Sequence, residues 1–233
     1  SRRRHTRYGT VTGVQTCALP ILGQGALRTL SLSVVAFALA VTLGLFIALA
    51  RLYGSTPVRY AAMTYVELLR GTPILVQMLL IYYGLGQLEG LRMPAEVAGI
   101  LGLALNYAAY EAEIYRGAIS AIPRGQREAA MSLGLTTSQS LRHVIVPQAL
   151  RLSLAPSTND FIALFKDSSI VMVITVVELT KQYQMLANAT GKFILLGLLT
   201  SALYLAMSLP LAFAARRFER SLDKDAEIGR AHV

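Results

Sequence analysis

The chain has 233 residues, of which 54% are hydrophobic and only 15% charged, with a mean hydropathy of +0.51 and a formal charge of +9. A soluble domain of this size carries about 25% charged residues, so the balance points to a polytopic membrane protein. The positive charge is not evidence for nucleic-acid binding, because the basic residues are sorted by loop and not gathered on one surface.

The first segment, SRRRHTRYGTVTGVQTCALPI (residues 1–21), reads as translated sequencing adapter, and EIGRAHV (residues 227–233) as its reverse complement. The other reading of the first segment is a basic targeting peptide followed by a short loop. Both ends are therefore set aside from fold reasoning, leaving 17 Lys and Arg against 12 Asp and Glu in residues 22–226. Cys17, the single cysteine, lies in the first segment, so neither a disulfide nor a thiol site is argued.

Five stretches have the length and composition of membrane spans: residues 26–50, 59–85, 94–115, 152–177 and 193–215. The first and last are uninterrupted; the middle three contain ionisable groups. The expected fold is an all-α membrane protein of five transmembrane helices. Loop charge orients it. Eleven basic residues (Arg51, Arg59, Arg116, Arg124, Arg127, Arg142, Arg151, Arg216, Arg217, Arg220, Lys224) fall on one side, and Arg92, Lys181 and Lys192 on the other. The richer side is expected to be cytoplasmic, which puts the N-terminus outside and the C-terminus inside. Tyr53, Tyr60, Tyr82, Tyr83 and Tyr115, near span ends, are expected interfacial anchors.

In the second span, Glu67 and Arg70 are three apart, so they share a helix face and can pair, either as a gate or substrate contact or as a structural ion pair. Gly71-Thr72-Pro73 breaks the helix, and the freed backbone groups must face protein or water. Thr72 and nearby Gln77 are therefore pathway candidates, and Arg70, Gly71 and Pro73 gating or structural ones. In the third, Glu111 and Glu113 are expected to pair with Arg116 or Arg127.

The longest loop, residues 116–151, holds EAAMSLGLTTSQSLRHVIVPQALR. Helix formers at residues 128–131, Gly134 to end the helix, Thr136, Thr137 or Ser138 to cap a second one, and Pro147 to stop or kink it predict two short helices at an angle. Such an element either docks a partner or lies on lipid, helped by Arg142 and His143. In the fourth span, Asp160 and Asp167 are seven apart, as are Asn159 and Lys166, making a polar stripe. It suits the ammonium and carboxylate of an amino acid, or else hydrogen bonds between subunits. Asn159 and Asp160 are the substrate candidates; Lys166, Asp167 and Ser168 the gating or structural ones. With His5 and His232 in the segments set aside, His143 stands alone, and no metal or catalytic constellation is argued.

The pattern Glu128-Ala129-Ala130, three residues, Gly134, nine residues, then Val144-x-Val146-Pro147 resembles the EAA loop of permease subunits of bacterial ABC importers. YVELLRGTPILVQ (residues 65–77) and NDFIALFKDSSIVMVITVVELT (residues 159–180) resemble permeases of the histidine, glutamine and arginine type. The resemblance covers residues 22–225. It implies the type I importer permease fold in the bacterial cytoplasmic membrane. It also implies a second permease subunit, identical or paralogous, a dimer of ATPase subunits that bind ATP and Mg, and an extracytoplasmic amino acid binding protein. Glu128, Ala129, Ala130, Gly134 and Pro147 would couple to the ATPase, Ala129 and Ala130 allowing close approach, and drive alternating access. The chain has no GxxxxGK[ST] phosphate loop, so the energy must come from a partner, and no cofactor is expected in the chain itself. The alternatives are a self-sufficient secondary transporter or channel for small polar solutes, and an intramembrane enzyme; the first lacks a visible repeat, the second a nucleophile or metal set.

Overall fold

A computed structural model describes residues 11–230, with side-chain environments for residues 18–217. His5, His232 and most of the basic N-terminal stretch lie outside the described residues, as do the side chains of Arg220, Lys224 and Glu227. All described elements are helical. α1 (Val11–Tyr53) takes up the first predicted span and the residues before it, in one helix. Residues 11–21 are thus helical, and Ala18 and Leu22 are buried in a cluster with Leu179, Ala187 and Leu196.

Ala36, Ala40, Gly44 and Ala48 recur every fourth residue, and each is buried. They form a smooth stripe on α1 that meets α4 (Ala95–Ala121). The facing surface of α4 is also made of small residues, among them Ala108 and Ala112. Small side chains let two helix backbones approach closely where lipid supplies no hydrophobic drive. Gly44 shows how closely: a Cβ there would lie 2.6 Å from Glu111 Cβ and 3.1 Å from the Ala108 carbonyl oxygen.

α2 (Thr56–Gly71) is followed by α3 (Ile74–Leu79), a π-helical turn (Leu80–Gly84) and a 3₁₀ turn (Leu85–Gln87). The two arms bend by 107° at Gly71-Thr72-Pro73. The predicted break is therefore present, and sharper than a kink. Beyond α4, α5 (Arg124–Ser132) and α6 (Thr137–Ser140) form the loop, and α7 (Val146–Asp167) runs back along α4. α7 passes into a 3₁₀ stretch (Ser168–Ile174) that ends at Thr175, in the left-handed region at φ 70°. α8 (Leu179–Thr190), taken as loop in the sequence, and α9 (Phe193–Arg230) close the chain.

By length and composition α1 and α9 can cross a membrane, and the α2–α3 pair can if it counts as one bent span. α4 and α7 each fold as long helices but are not apolar enough over their length to qualify. Of the expected anchors, Tyr53, Tyr60 and Tyr83 are exposed, whereas Tyr115 is buried against Ala48, Val66 and Ala112. Tyr115 is a core residue because it lies on the inner face of α4.

Candidate functional site

The loop between α4 and α7 is built from strong local signals. Ile122 is extended ahead of Pro123, which starts α5 with its ring where no helical N–H is needed. α5 ends in a Schellman arrangement: the Leu135 N–H donates to the Ala130 carbonyl at 3.2 Å and the Gly134 N–H to the Met131 carbonyl at 3.0 Å. Gly134 sits at φ +85°, a conformation glycine adopts without cost. Thr136 then starts α6 with a full capping box, exchanging hydrogen bonds with Gln139 at 3.2 and 2.8 Å.

Pro147 departs from expectation. It neither stops nor kinks the second helix but lies in the first turn of α7, behind a π-helical turn (Leu141–Ile145), so helical backbone runs from Thr137 to Ile174. The wider turn accommodates a residue with no N–H to donate. Of the two alanines expected to admit a partner, Ala129 is exposed, but Ala130 is 4% exposed and turned toward its own chain. Glu128 is exposed beside Ala129. Met131 (50%) and Leu133 (84%), not singled out in the sequence, present apolar side chains to the outside. The signal was there: two large apolar residues beside a helix-ending glycine in an otherwise polar loop.

The α2–α3 break is held by side-chain amides. Gln77, 8% exposed, donates through Nε2 to the Leu69 carbonyl at 2.8 Å, the Thr72 carbonyl at 3.1 Å and Thr72 Oγ1 at 2.8 Å. Asn106 of α4 donates to the same Leu69 carbonyl at 3.2 Å and to Gln77 Oε1 at 3.0 Å. The carbonyls freed at the end of α2 are thereby satisfied without water. Thr72 Oγ1 also donates to the Leu68 carbonyl at 2.7 Å. Thr72 and Gln77 thus hold the break through bonds within the chain. Gly71 and Pro73 are exposed at the bend.

The Glu67–Arg70 pair does not form. Arg70 lies 4.0 Å from Glu113 and 5.2 Å from the centre of the Tyr110 ring. Glu113 also pairs with Arg51 of α1 and, at 2.8 Å, with Arg116. Three guanidinium groups compete for one half-buried carboxylate, and Glu67 stays exposed. Glu111 pairs with no arginine among the described residues. It is fully buried and accepts from Ser157 Oγ at 2.8 Å.

The polar stripe of α7 divides. Asp160 and Asp167 face α4: Asp167 accepts from Tyr107 at 2.8 Å, and Asp160 is half-buried with Oδ2 unpartnered, as is Glu111 Oε1. Asn159 and Lys166 are exposed on the other side. Ser168 is buried and donates to the Phe165 carbonyl at 2.8 Å, a structural contact. Among the described residues, no group of three His, Cys, Asp or Glu is poised for a metal.

Comparison with known proteins adds to this geometry. A family model described as binding-protein-dependent transport system inner membrane component matches residues 40–224. The chain is similar to the glutamine transport system permease protein GlnP of Escherichia coli (strain K12), 38% identical over 206 residues, 88% of this chain and 94% of that protein. It is also similar to the L-cystine transport system permease protein TcyB of Bacillus subtilis (strain 168), 34% identical over 212 residues, 91% and 90%. Among solved structures it superimposes on an amino acid ABC transporter crystallised with histidines, at 40% identity and a TM-score of 0.83, covering 89% of this chain and 96% of that one. The inward-facing MetNI methionine ABC transporter shares the fold, at 20% identity and a TM-score of 0.73.

Proposed function

The chain belongs to the family of inner membrane components of binding-protein-dependent transport systems, and from that membership we infer that it is the permease subunit of an ATP-driven importer of polar amino acids. It forms the pathway and hydrolyses nothing; ATP and Mg sit on a separate ATPase. It is a multi-pass protein of the bacterial inner membrane, with five crossings formed by α1, the bent α2–α3 pair, α4, α7 and α9. The α5–α6 loop is cytoplasmic, because Arg116, Arg124, Arg127, Arg142 and Arg151 flank or line it. The N-terminus is then outside and the C-terminus inside. An extracytoplasmic binding protein delivers the amino acid, and a second permease subunit, identical or paralogous, completes the pathway.

The observation that supports the coupling step is the α5–α6 loop, fixed at both ends and with Met131 and Leu133 exposed on its outer side. Glu128, Ala129, Met131 and Leu133 dock on the ATPase, Gly134 sets the turn, and the helix through Pro147 transmits the motion when ATP closes the ATPase pair. Alternating access follows. Exposed Glu67 and Asn159 and half-buried Asp160 line the pathway, and the buried, unpartnered Oδ2 of Asp160 would take a substrate ammonium once the helices part. Arg70, Gly71, Pro73, Lys166, Asp167 and Ser168 gate or support it, and Thr72 and Gln77 keep its bend.

Gly134→Pro tests this, since proline cannot reach φ +85°. In detergent, an ATPase subunit of a polar amino acid importer should co-purify with the parent chain and be lost from the variant, while membrane insertion is unchanged. Retention of the ATPase together with normal ATP-driven uptake would sink the coupling role of the loop.

A further inference from the structure

At the end of the bundle remote from the α5–α6 loop, α7, α8 and α9 enclose an open cleft of about 450 Å³. Lys166, Ser169, Thr180, Tyr183, Thr200 and Tyr204 bring polar groups to it, with Ser201 at the mouth, while the larger part of its lining surface is apolar. Lys166 is exposed to it, and among the described residues no carboxylate lies within 4.0 Å of the ammonium. Asp167, the next residue, points away to Tyr107. Thr200 is 6% exposed, lines the same cleft, and its Oγ1 has no hydrogen-bond partner. An unpaired cation and an unsatisfied buried hydroxyl in one recess are each costly in a membrane protein. One anion with several acceptor oxygens satisfies both.

The wall behind the cleft is already satisfied. Buried Glu178 caps α8 by accepting from the Thr180 and Lys181 N–H groups at 2.8 Å each, and it accepts from the Tyr204 hydroxyl at 3.0 Å and from Thr29 at 3.3 Å. Its oxygens are satisfied by donors on its own side, leaving Lys166, Thr200 and Ser201 to face the opening. The mouth gives directly onto an apolar stripe of α9. Ile194 (82%), Leu198 (65%), Leu205 (56%), Leu209 (42%) and Phe213 (63%) are exposed along one helical face, and Ser201 interrupts it beside the cleft.

We propose that this cleft binds the phosphate headgroup of an anionic phospholipid, with Lys166 as its counter-ion, Thr200 and Ser201 as donors, and an acyl chain along the α9 stripe. The site lies 120° around α7 from Asp160 on the same helix, about six residues away. The proposal rests on the permease reading only in placing α9 against lipid.

The test is native mass spectrometry of the assembled importer, permease with ATPase, titrated with phosphatidylglycerol. The parent should retain the lipid, and Lys166→Gln and isosteric Thr200→Val should each weaken retention about tenfold, the size of one charge-assisted hydrogen bond. Lys192→Gln, a half-exposed cation at the same end outside the cleft lining, should change nothing. Equal retention by the parent and both cleft variants would overturn the proposal, as would absence of Lys166-dependent lipid because a second permease copy covers the cleft. Displacement by free phosphate or glutamate at concentrations that leave lipid elsewhere unaffected would show a soluble anion and overturn the lipid assignment. Co-purification of the ATPase with each variant reports folding and the permease reading independently.

Discussion

Single side chains divide by whether the chain itself has already used them. Asp160 keeps one carboxylate oxygen unpartnered beside α4, whereas Asp167, one heptad on, is bonded to Tyr107. Asp160→Asn should therefore shift the order of preference across a panel of amino acids while the ATPase rate without substrate stays within about twofold, since a removed substrate hydrogen bond costs ~1–3 kcal/mol. An unchanged uptake profile would remove Asp160 from the pathway. The sequence identified Asp160 and Asp167 as neighbours on a helix face, because spacing alone decides that. It misassigned the partner of Arg70, because Glu113, 43 positions further along the chain, outcompetes Glu67 at three positions. Local spacing holds no information about a carboxylate brought in by a second helix.

At the scale of elements, the bend between α2 and α3 depends on two amides. Gln77→Leu would strip the Thr72 carbonyl of its donor and leave Asn106 alone to hold the Leu69 carbonyl. The expected result is a loss on the order of 1–3 kcal/mol of stability for a buried polar group left bare, read as a lower unfolding temperature in detergent, with the amino acid preference of residual uptake unaltered. A change of preference at unchanged stability would return Gln77 to the pathway. Glycine and proline made this break legible, as they made Gly134 and the Thr136 cap legible, since each acts on its own backbone. α8 was not legible. Its N-cap is Glu178, a residue outside the usual capping set, and it is held by Thr29 from 149 positions earlier. The small-residue stripe from Ala36 to Ala48 was not singled out in the sequence, because only the facing alanines of α4 give it meaning.

For the whole molecule, the decisive property is that energy enters from outside the chain. Purified permease in liposomes should give no amino acid uptake under a proton or sodium gradient. Uptake should appear only with the ATPase, ATP on the loop side and binding protein on the other. Gradient-driven uptake by the chain alone would establish the secondary-transporter alternative. Length and composition marked all five spans, but hydropathy is clear only for the outermost helices and weak for α4 and α7, which carry ionisable groups such as Glu111, Glu113, Asp160 and Lys166; the family's loop pattern supplied what hydropathy could not. The π-helical turn at Leu141–Ile145 bears on how that loop is aimed. Such a turn holds one residue more than an α-helical turn. Each residue of helix advances the azimuth by roughly 100°. The turn therefore fixes the angular phase between α5 and α7, as a key fixes a gear on its shaft. Losing one residue there would shorten the rod by only about 1.5 Å, yet it would swing the outer face of α5 about a quarter turn away from where it now points.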